Sequence, residues 1–368
     1  MAKQRIFDLT QTKGEFVLRG IVSGTKKDSF YSEKKTKTDK LFRKVNFGIE
    51  YEKGHTVYVT LQGMESDNVW FSKVEKVEDE NNKMVTQNKI VTEKVPWADR
   101  FSFNKEGYGL IGVNCGLTKM TNESGKIVND KKTLTEFDAC SYIFDNLNDG
   151  DSVFVKGLLD ISSFIDDKGN KKTSLKLKPN QISLCSLPID FDDEKFVPVN
   201  EFKTSVVFKS IDKEVNDNGE KTNRFVLSTK IINYATIEDY NFIIGEEQEK
   251  FARMLNKKFK PYNSFEVFGR IVSTIITEVV EEDDEWGEPD PFKKPNSGAK
   301  TEMIITGANK ETWDTESYSE ESVNAALMAI AKENKAKNNY GKDADEDTST
   351  DDDWGSVDSF DEDDDVNW

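Results

Sequence analysis

A mainly β chain, arranged as two five-stranded β-barrels in tandem with a disordered acidic tail, is what this sequence of 368 residues predicts. Three observations carry the prediction. Short runs of alternating apolar residues bounded by polar turns recur along the chain, as half-buried strands require. The same order of elements occurs twice. Charge is concentrated at the end, where residues 341–368 hold thirteen Asp and Glu against the single Lys342. The body therefore accounts for only six of the eighteen net negative charges.

The elements follow in order. "GEFVLRGIVSG" (14–24) is an alternating, β-branched strand. After a lysine-rich gap, "KVNFGIEYEKGHTVYVTLQG" (44–63) alternates through Val45, Phe47, Ile49 and Tyr51, turns at "EKGH", and alternates again through Val57, Val59 and Leu61. That is a hairpin with one buried face. In 133–151 a Thr135 cap precedes Phe137, Cys140, Ile143, Phe144 and Leu147 at helical spacing. "SVFVKGLLDISSF" and "TSLKLKPNQISLC" then read as two strands joined by the basic turn "IDDKGNKK". The order is strand, hairpin, helix, strand, strand.

It returns after residue 198. "FKTSVVFKSIDKEV" is a strand, "NRFVLSTKIINYA" and "DYNFIIG" form a pair, "EEQEKFARMLNKKF" is a helix, and "NSFEVFGRIVSTIITEVV" with "TEMIITGA" completes the unit. "DSVFVKG" and "SFEVFGR" follow the two helices, with Gly157 and Gly269 at equivalent positions. Five strands with a helix between the third and fourth is the layout of an OB-fold barrel. The units cover 1–190 and 191–340, the first interrupted by a β-rich insertion over about 64–132 whose strands the sequence does not place. The second ends in a helix at 319–336, capped by Ser319, with Val323, Leu327 and Ile330 on one face toward the barrel.

Composition and motifs narrow the function classes. No apolar run approaches the roughly 18 residues of a membrane helix, so a cytoplasmic protein without a membrane partner is expected. Cys115, Cys140 and Cys185 are odd in number, far apart and without CxxC spacing, which argues against a disulfide framework or a zinc site. Gly107, Gly109 and Gly112 make a formal GxGxxG, but no strand-turn-helix surrounds it. His55, the single histidine, lies in a hairpin turn, and no catalytic constellation accompanies it. The expectation is a non-enzyme with no cofactor and no metal.

The basic segments point elsewhere. "TKKDSFYSEKKTKTDKLFRK" (25–44) holds eight Lys and Arg against three acids. From it come the nominated contacts Lys26, Lys27, Phe30, Tyr31, Lys34, Lys35, Lys37, Arg43 and Lys44. In an OB barrel the loop between the first two strands and that between the last two border the oligonucleotide groove. The second of these supplies Lys171, Lys172 and Lys176. Lysines neutralise phosphates, and aromatic faces stack unpaired bases. Strand alternation turns Tyr58, Phe154 and Lys156 outward, on strands expected to be adjacent in one stacking platform, and in the second unit Arg224, Lys230, Phe268 and Arg270. A solvated lysine-rich loop is the plainer alternative for the first segment, and burial against the insertion or the other barrel for the aromatics.

Tandem OB-like units, basic aromatic grooves and an acidic tail ending in an aromatic residue together resemble the single-stranded DNA-binding proteins, particularly phage-encoded ones. Bacterial members end in Asp-Asp-Asp-Ile-Pro-Phe, which docks into repair and replication enzymes. This chain has Asp363, Asp364, Asp365, Val366, Asn367 and Trp368, so the acids match and the last three residues depart. The resemblance implies that the chain coats single-stranded DNA in replication or recombination. It also implies a tail that competes with DNA and recruits partner proteins through those six residues. The alternatives from other classes are a structural β-barrel protein of a virion and an accessory nuclease.

Overall fold

The structure, a computed structural model, describes residues 5–77, 87–165, 169–216, 219–277 and 297–340. It is mainly β. The first barrel begins with β1 (Gly14–Ser23), β2 (Tyr31–Lys35), β3 (Leu41–Glu52) and β4 (His55–Met64). The insertion holds β5 (Asn68–Val77), β6 (Gln87–Pro96), β7 (Gly109–Leu110), β8 (Val113–Thr121) and β9 (Ile127–Leu134). α1 (Glu136–Asn146), β10 (Ser152–Ile165) and β11 (Lys171–Leu184) complete the unit. The second barrel is β12 (Val199–Val215), β13 (Lys221–Ile232), β14 (Ile237–Ile244), α2 (Glu249–Lys258), β15 (Ser264–Thr277) and β16 (Ser297–Asp314), followed by α3 (Glu320–Tyr340).

Strand pairing defines both units as OB barrels. In the second, β12 pairs with β13 and β15, β13 with β14, β15 with β16, and β14 closes the ring by parallel pairing with β16. In the first, β1 pairs with β3 and β10, β3 with β4, and β10 with β11, while β11 packs against β4. Thr135 caps α1 as its sequence predicts, its Oγ1 accepting from Asp138 N at 3.1 Å.

The two barrels are joined strand to strand. β1 pairs antiparallel with β12, and Phe16 stands directly opposite Phe202. Phe16 in turn faces Gly157 on β10, and Phe202 faces Gly269 on β15. The two copies are thus related by a local two-fold axis at the Phe16–Phe202 pair. Both phenylalanines are buried in one hydrophobic cluster that runs through both barrels.

Two features differ from the sequence reading, and the strands of the insertion, which it left unplaced, are now placed. Part of the lysine-rich stretch is not a loop: β2 zips onto β3 from Tyr31↔Val45 to Lys35↔Leu41, leaving a tip at 36–40. Its charged side chains carry no apolar alternation, and backbone pairing alone makes the strand. The insertion resolves into two parts. β5, β6 and β7 form a separate small sheet over Val69, Phe71 and Val95, whereas β8 and β9 extend the main sheet through parallel pairing of β8 with β11. Residues before β1 pack on the second barrel instead of the first: Phe7 and Leu9 join Val207, Ile232, Ile237, Tyr318 and Val323 beneath α3. α3 begins where Ser319 Oγ accepts from Ser322 N at 3.1 Å. The predicted tail, 341–368, lies outside the described residues, as does the acidic stretch 278–296.

Candidate nucleic-acid interface

The outer surface of β2, β3 and β4 is the best-defined candidate. Along β3 and β4 the odd-numbered Val45, Phe47, Ile49, Val57, Val59 and Leu61 point into the core, so the even-numbered residues face out. Register then groups them across three strands. Lys34, Phe42 and Met64 share one row, Ser32, Lys44 and Gln62 the next, then Asn46 with Thr60, then Gly48 with Tyr58. Tyr58 is 40% exposed. The face therefore offers two aromatic rings, two lysines and a set of neutral hydrogen-bonding groups, with no carboxylate in those rows.

The reverse side of the same hairpin is used for packing. Phe30 is only 3% exposed, edge-on to Phe47 at 6.5 Å and tilted on Phe144 at 5.8 Å. Its nomination as a stacking ring is corrected, because the turn before β2 directs it into the core. Tyr31 stacks on Phe144 at 4.4 Å, and its hydroxyl donates to Glu33. Arg43 is bound to Glu33 at 2.6 Å and lies 3.9 Å over the Phe137 ring. That bond from Arg43 holds the Glu33 carboxyl below its usual range. Burial, with Glu33 adding to it, raises the Tyr31 phenol. Tyr31 and Arg43 are therefore engaged on the side facing α1, away from the open face.

Of the other nominated lysines, Lys26, Lys27 and Lys37 lie exposed in the turn and hairpin tip that border this face, and Lys35 pairs with Asp39. The β10–β11 hairpin does not border it freely. Lys171 reaches Glu238 of the second barrel at 3.3 Å, Thr173 Oγ1 donates to the Asp239 carbonyl, and Asn233 Nδ2 donates to the Ile161 carbonyl. Lys172 and Lys176 remain exposed on β11. Arg224 bonds Glu302 at 2.7 Å and lies near Glu214, while Lys230 bonds Asp239. Arg224 and Lys230 are thus neutralised by carboxylates of their own barrel.

Tyr58 and Phe154 do not share one platform, as β3 and β1 lie between β4 and β10. Register instead unites Phe154 and Lys156 with Phe268 and Arg270. One row across the joined sheet is Leu158–Glu15–Lys203–Phe268, and the next is Lys156–Val17–Glu201–Arg270. Lys156, Leu158, Phe268 and Arg270 are all exposed, Phe268 by 42%. This second face is mixed in charge. Sequence reasoning missed Met64, Asn46, Thr60 and Gln62, and left Phe42 without a direction. The alternation within 44–63 already turns Asn46, Thr60 and Gln62 outward, and extending it two residues backward and one forward reaches Phe42 and Met64.

The remaining titratable features serve the core. Burial pushes the Cys115 and Cys140 thiols up to about 12. His55 Nδ1 lies 3.1 Å from the Ser273 carbonyl, and Tyr51 accepts from Ser273 N, so the β3–β4 turn braces β15. Among the described residues no cluster of His, Cys, Asp and Glu could hold a metal ion, and no helix is long and apolar enough to cross a membrane.

Two OB barrels fused through their first strands, with an aromatic and basic face on one, define a tandem OB-fold protein as the class. A family model described as YorF matches residues 82–343 of the 368, and the chain belongs to the YorF family. No curated protein matches the chain in sequence. Among solved structures it is similar to the single-stranded DNA binding protein from Thermus aquaticus. A deletion mutant of that protein shows 11% identity and a TM-score of 0.36, covering 84% of this chain and 98% of that one. The wild-type form shows 11% identity and a TM-score of 0.35, covering 84% and 97%.

Proposed function

We propose that the chain is a non-catalytic binder of single-stranded DNA that coats and protects it during replication or recombination in a phage-type system. The observation that supports this is the outer face of β2, β3 and β4. Phe42 and Tyr58 are spread over its rows with Lys34 and Lys44, while Glu33 is turned to the opposite side. Phosphates need cations along a path, and unpaired bases need ring faces beside it. A duplex hides its base faces, so the arrangement favours single strands. The acidic tail with Trp354, Phe360 and Trp368 is read as a competitor for this face and a recruiter of replication or recombination proteins.

Titration with an oligothymidine at several salt concentrations tests the reading. Log affinity should fall with log salt by about 0.7 per phosphate contact, and duplex of equal length should bind more weakly. Tyr58→Ala and Phe42→Ala should each weaken binding by about 1–3 kcal/mol without unfolding the protein. A salt-independent affinity, or equal affinity for duplex, would remove the basis of the proposal. Incubation of labelled strand with magnesium should leave it intact.

A further inference from the structure

The segment joining the barrels, residues 185–198, lies over the first barrel. Ile189 N donates to Ser152 Oγ at the start of β10 (2.9 Å), and Asp192 meets Lys53 Nζ at the β3–β4 turn (3.0 Å). The Val197 carbonyl accepts from Arg19 Nη2 of β1 (2.8 Å). The Arg19 guanidinium also stands 5.8 Å from the centre of the Phe196 ring, which is edge-on to Phe191 at 5.2 Å. The segment reads "IDFDDEKF": Asp190, Asp192, Asp193 and Glu194 around two phenylalanines, with Lys195 as its one cation. Carboxylates and rings of this strap are set against a lysine and an arginine of the barrel.

Like the open face, this part of the barrel sets cations beside an aromatic ring. Arg19 lies opposite Phe154 in the β1–β10 register, on the outer face because Leu18 and Gly20 beside it point inward. Its Nε is buried and makes no hydrogen bond. A phosphate can accept from two guanidinium nitrogens at once, whereas the Val197 carbonyl takes one. The strap itself is lightly held. The Lys53 and Asp192 side chains are 74% and 78% exposed, and an ion pair so open to water contributes little.

We propose that Arg19, Lys53 and Phe154 form a further subsite for a single nucleic-acid strand, and that the acidic strap 185–198 occupies it until the strand displaces it. The inference rests on the single-strand reading above. Phosphate replaces the Asp192 carboxylate on Lys53 and the Val197 carbonyl on Arg19, and a base replaces the Phe196 ring beside Arg19. A site closed for part of the time binds with an affinity reduced by the open fraction, so the strap lowers affinity without touching the open face.

The test uses the full chain with Asp190→Asn, Asp192→Asn, Asp193→Asn and Glu194→Gln. These changes remove four charges and keep the acceptors with which Asp190 and Asp193 bind Asp192 N and Lys195 N. Oligothymidine affinity at low salt should rise roughly fivefold, and the gain should shrink as salt screens the pair. A control with Glu246→Gln, Glu247→Gln, Glu320→Gln and Glu321→Gln, equal in charge but carried before α2 and at the start of α3, should gain less than about twofold. Adding Lys53→Gln should cancel most of the gain in the neutralised strap and change the unaltered protein little. Hydrogen exchange at the Ile189 amide should quicken when strand saturates the protein. An unchanged affinity, an equal gain in the control, or slower exchange at Ile189 would overturn the subsite while leaving the open face standing. Failure of every variant to bind oligothymidine would instead overturn the single-strand reading itself.

Discussion

Gly157 and Gly269 are among the most tightly constrained positions in the fold. Each sits at a register shift in the fourth strand of its barrel, between Lys156 and Gly157 and between Phe268 and Gly269. A Cβ at Gly157 would overlap the Lys178 carbonyl oxygen and the Phe16 ring, and one at Gly269 would overlap the Ile304 carbonyl oxygen. Because the obstacle is backbone, relief requires moving a paired strand. Gly157→Ala and Gly269→Ala should therefore each destabilise the protein by about 2–4 kcal/mol in urea unfolding, and a change under about 0.5 kcal/mol would mean that the bulges yield easily. The sequence made their equivalence legible, since both follow a helix and a β-branched run. Their pairing with Phe16 and Phe202 was not, because contacts between distant strands leave no local pattern. A second residue-scale outcome concerns Glu302, only 8% exposed. Burial pushes its carboxyl up, but hydrogen bonds from Arg224 and Lys300 more than offset this and hold it below the usual range. A depressed folded value means stability present above the unfolded value of about 4.3 and lost as pH falls through the folded one. Thermal melting of Glu302→Gln should fall below that of the unaltered protein at pH 7, and the difference should close below about pH 4. A difference constant with pH would point to lost packing instead.

Among elements, those with apolar alternation or helical spacing were readable, and those held by backbone pairing alone were not. The β3–β4 hairpin declared itself because Val45, Phe47, Ile49, Val57, Val59 and Leu61 all fill the barrel. α1 did so through its Thr135 cap and its buried Phe137, Cys140 and Ile143. β2 reads as loop because only Tyr31 of its residues packs against the core, while Ser32, Glu33, Lys34 and Lys35 run out along an arm beyond it. The same gap concealed half of the candidate face, since the outward direction of Phe42 and Lys34 depends on the β2–β3 register. The insertion was harder still, as its small sheet is fixed by a tertiary clamp. Arg100 donates from Nε and Nη2 to both oxygens of Asp138 in the first turn of α1, at 2.8 and 3.1 Å, with both side chains largely buried. Trp97 meets Phe137 edge-on at 5.8 Å, and Arg100 stands 4.2 Å over Trp97. A fork-to-carboxylate pair of this kind is among the stronger hydrogen-bonded contacts. A double-mutant cycle of Arg100→Ala with Asp138→Ala should give a coupling energy of about 1–3 kcal/mol in unfolding experiments. Additive losses would show that the aromatic contacts alone hold the small sheet.

At the scale of the whole molecule, opposite charges sit on one chain. The open face of the first barrel is basic, the strap is acidic, and residues 341–368 carry thirteen carboxylates behind a helix that packs on the second barrel. Were a segment of that length to behave as a flexible coil, its dimension would be roughly 30 Å and its effective concentration near its own barrels of millimolar order. If the tail visits the open face, deleting 341–368 should raise oligothymidine affinity, most at low salt, where exposed charges are least screened. Removing only Val366, Asn367 and Trp368 leaves every carboxylate and should leave DNA affinity nearly unchanged, while abolishing capture of replication or recombination proteins on the immobilised chain. The two truncations separate two roles that composition alone confounds, charge competition and aromatic docking. They also separate tail from strap: combined with the neutralised strap, the full deletion should give a gain larger than either change alone, because each removes a different occupant. Should the full deletion leave DNA affinity unchanged at low salt, the tail does not compete for the face. Should the three-residue truncation keep every partner, Trp368 is not the docking group.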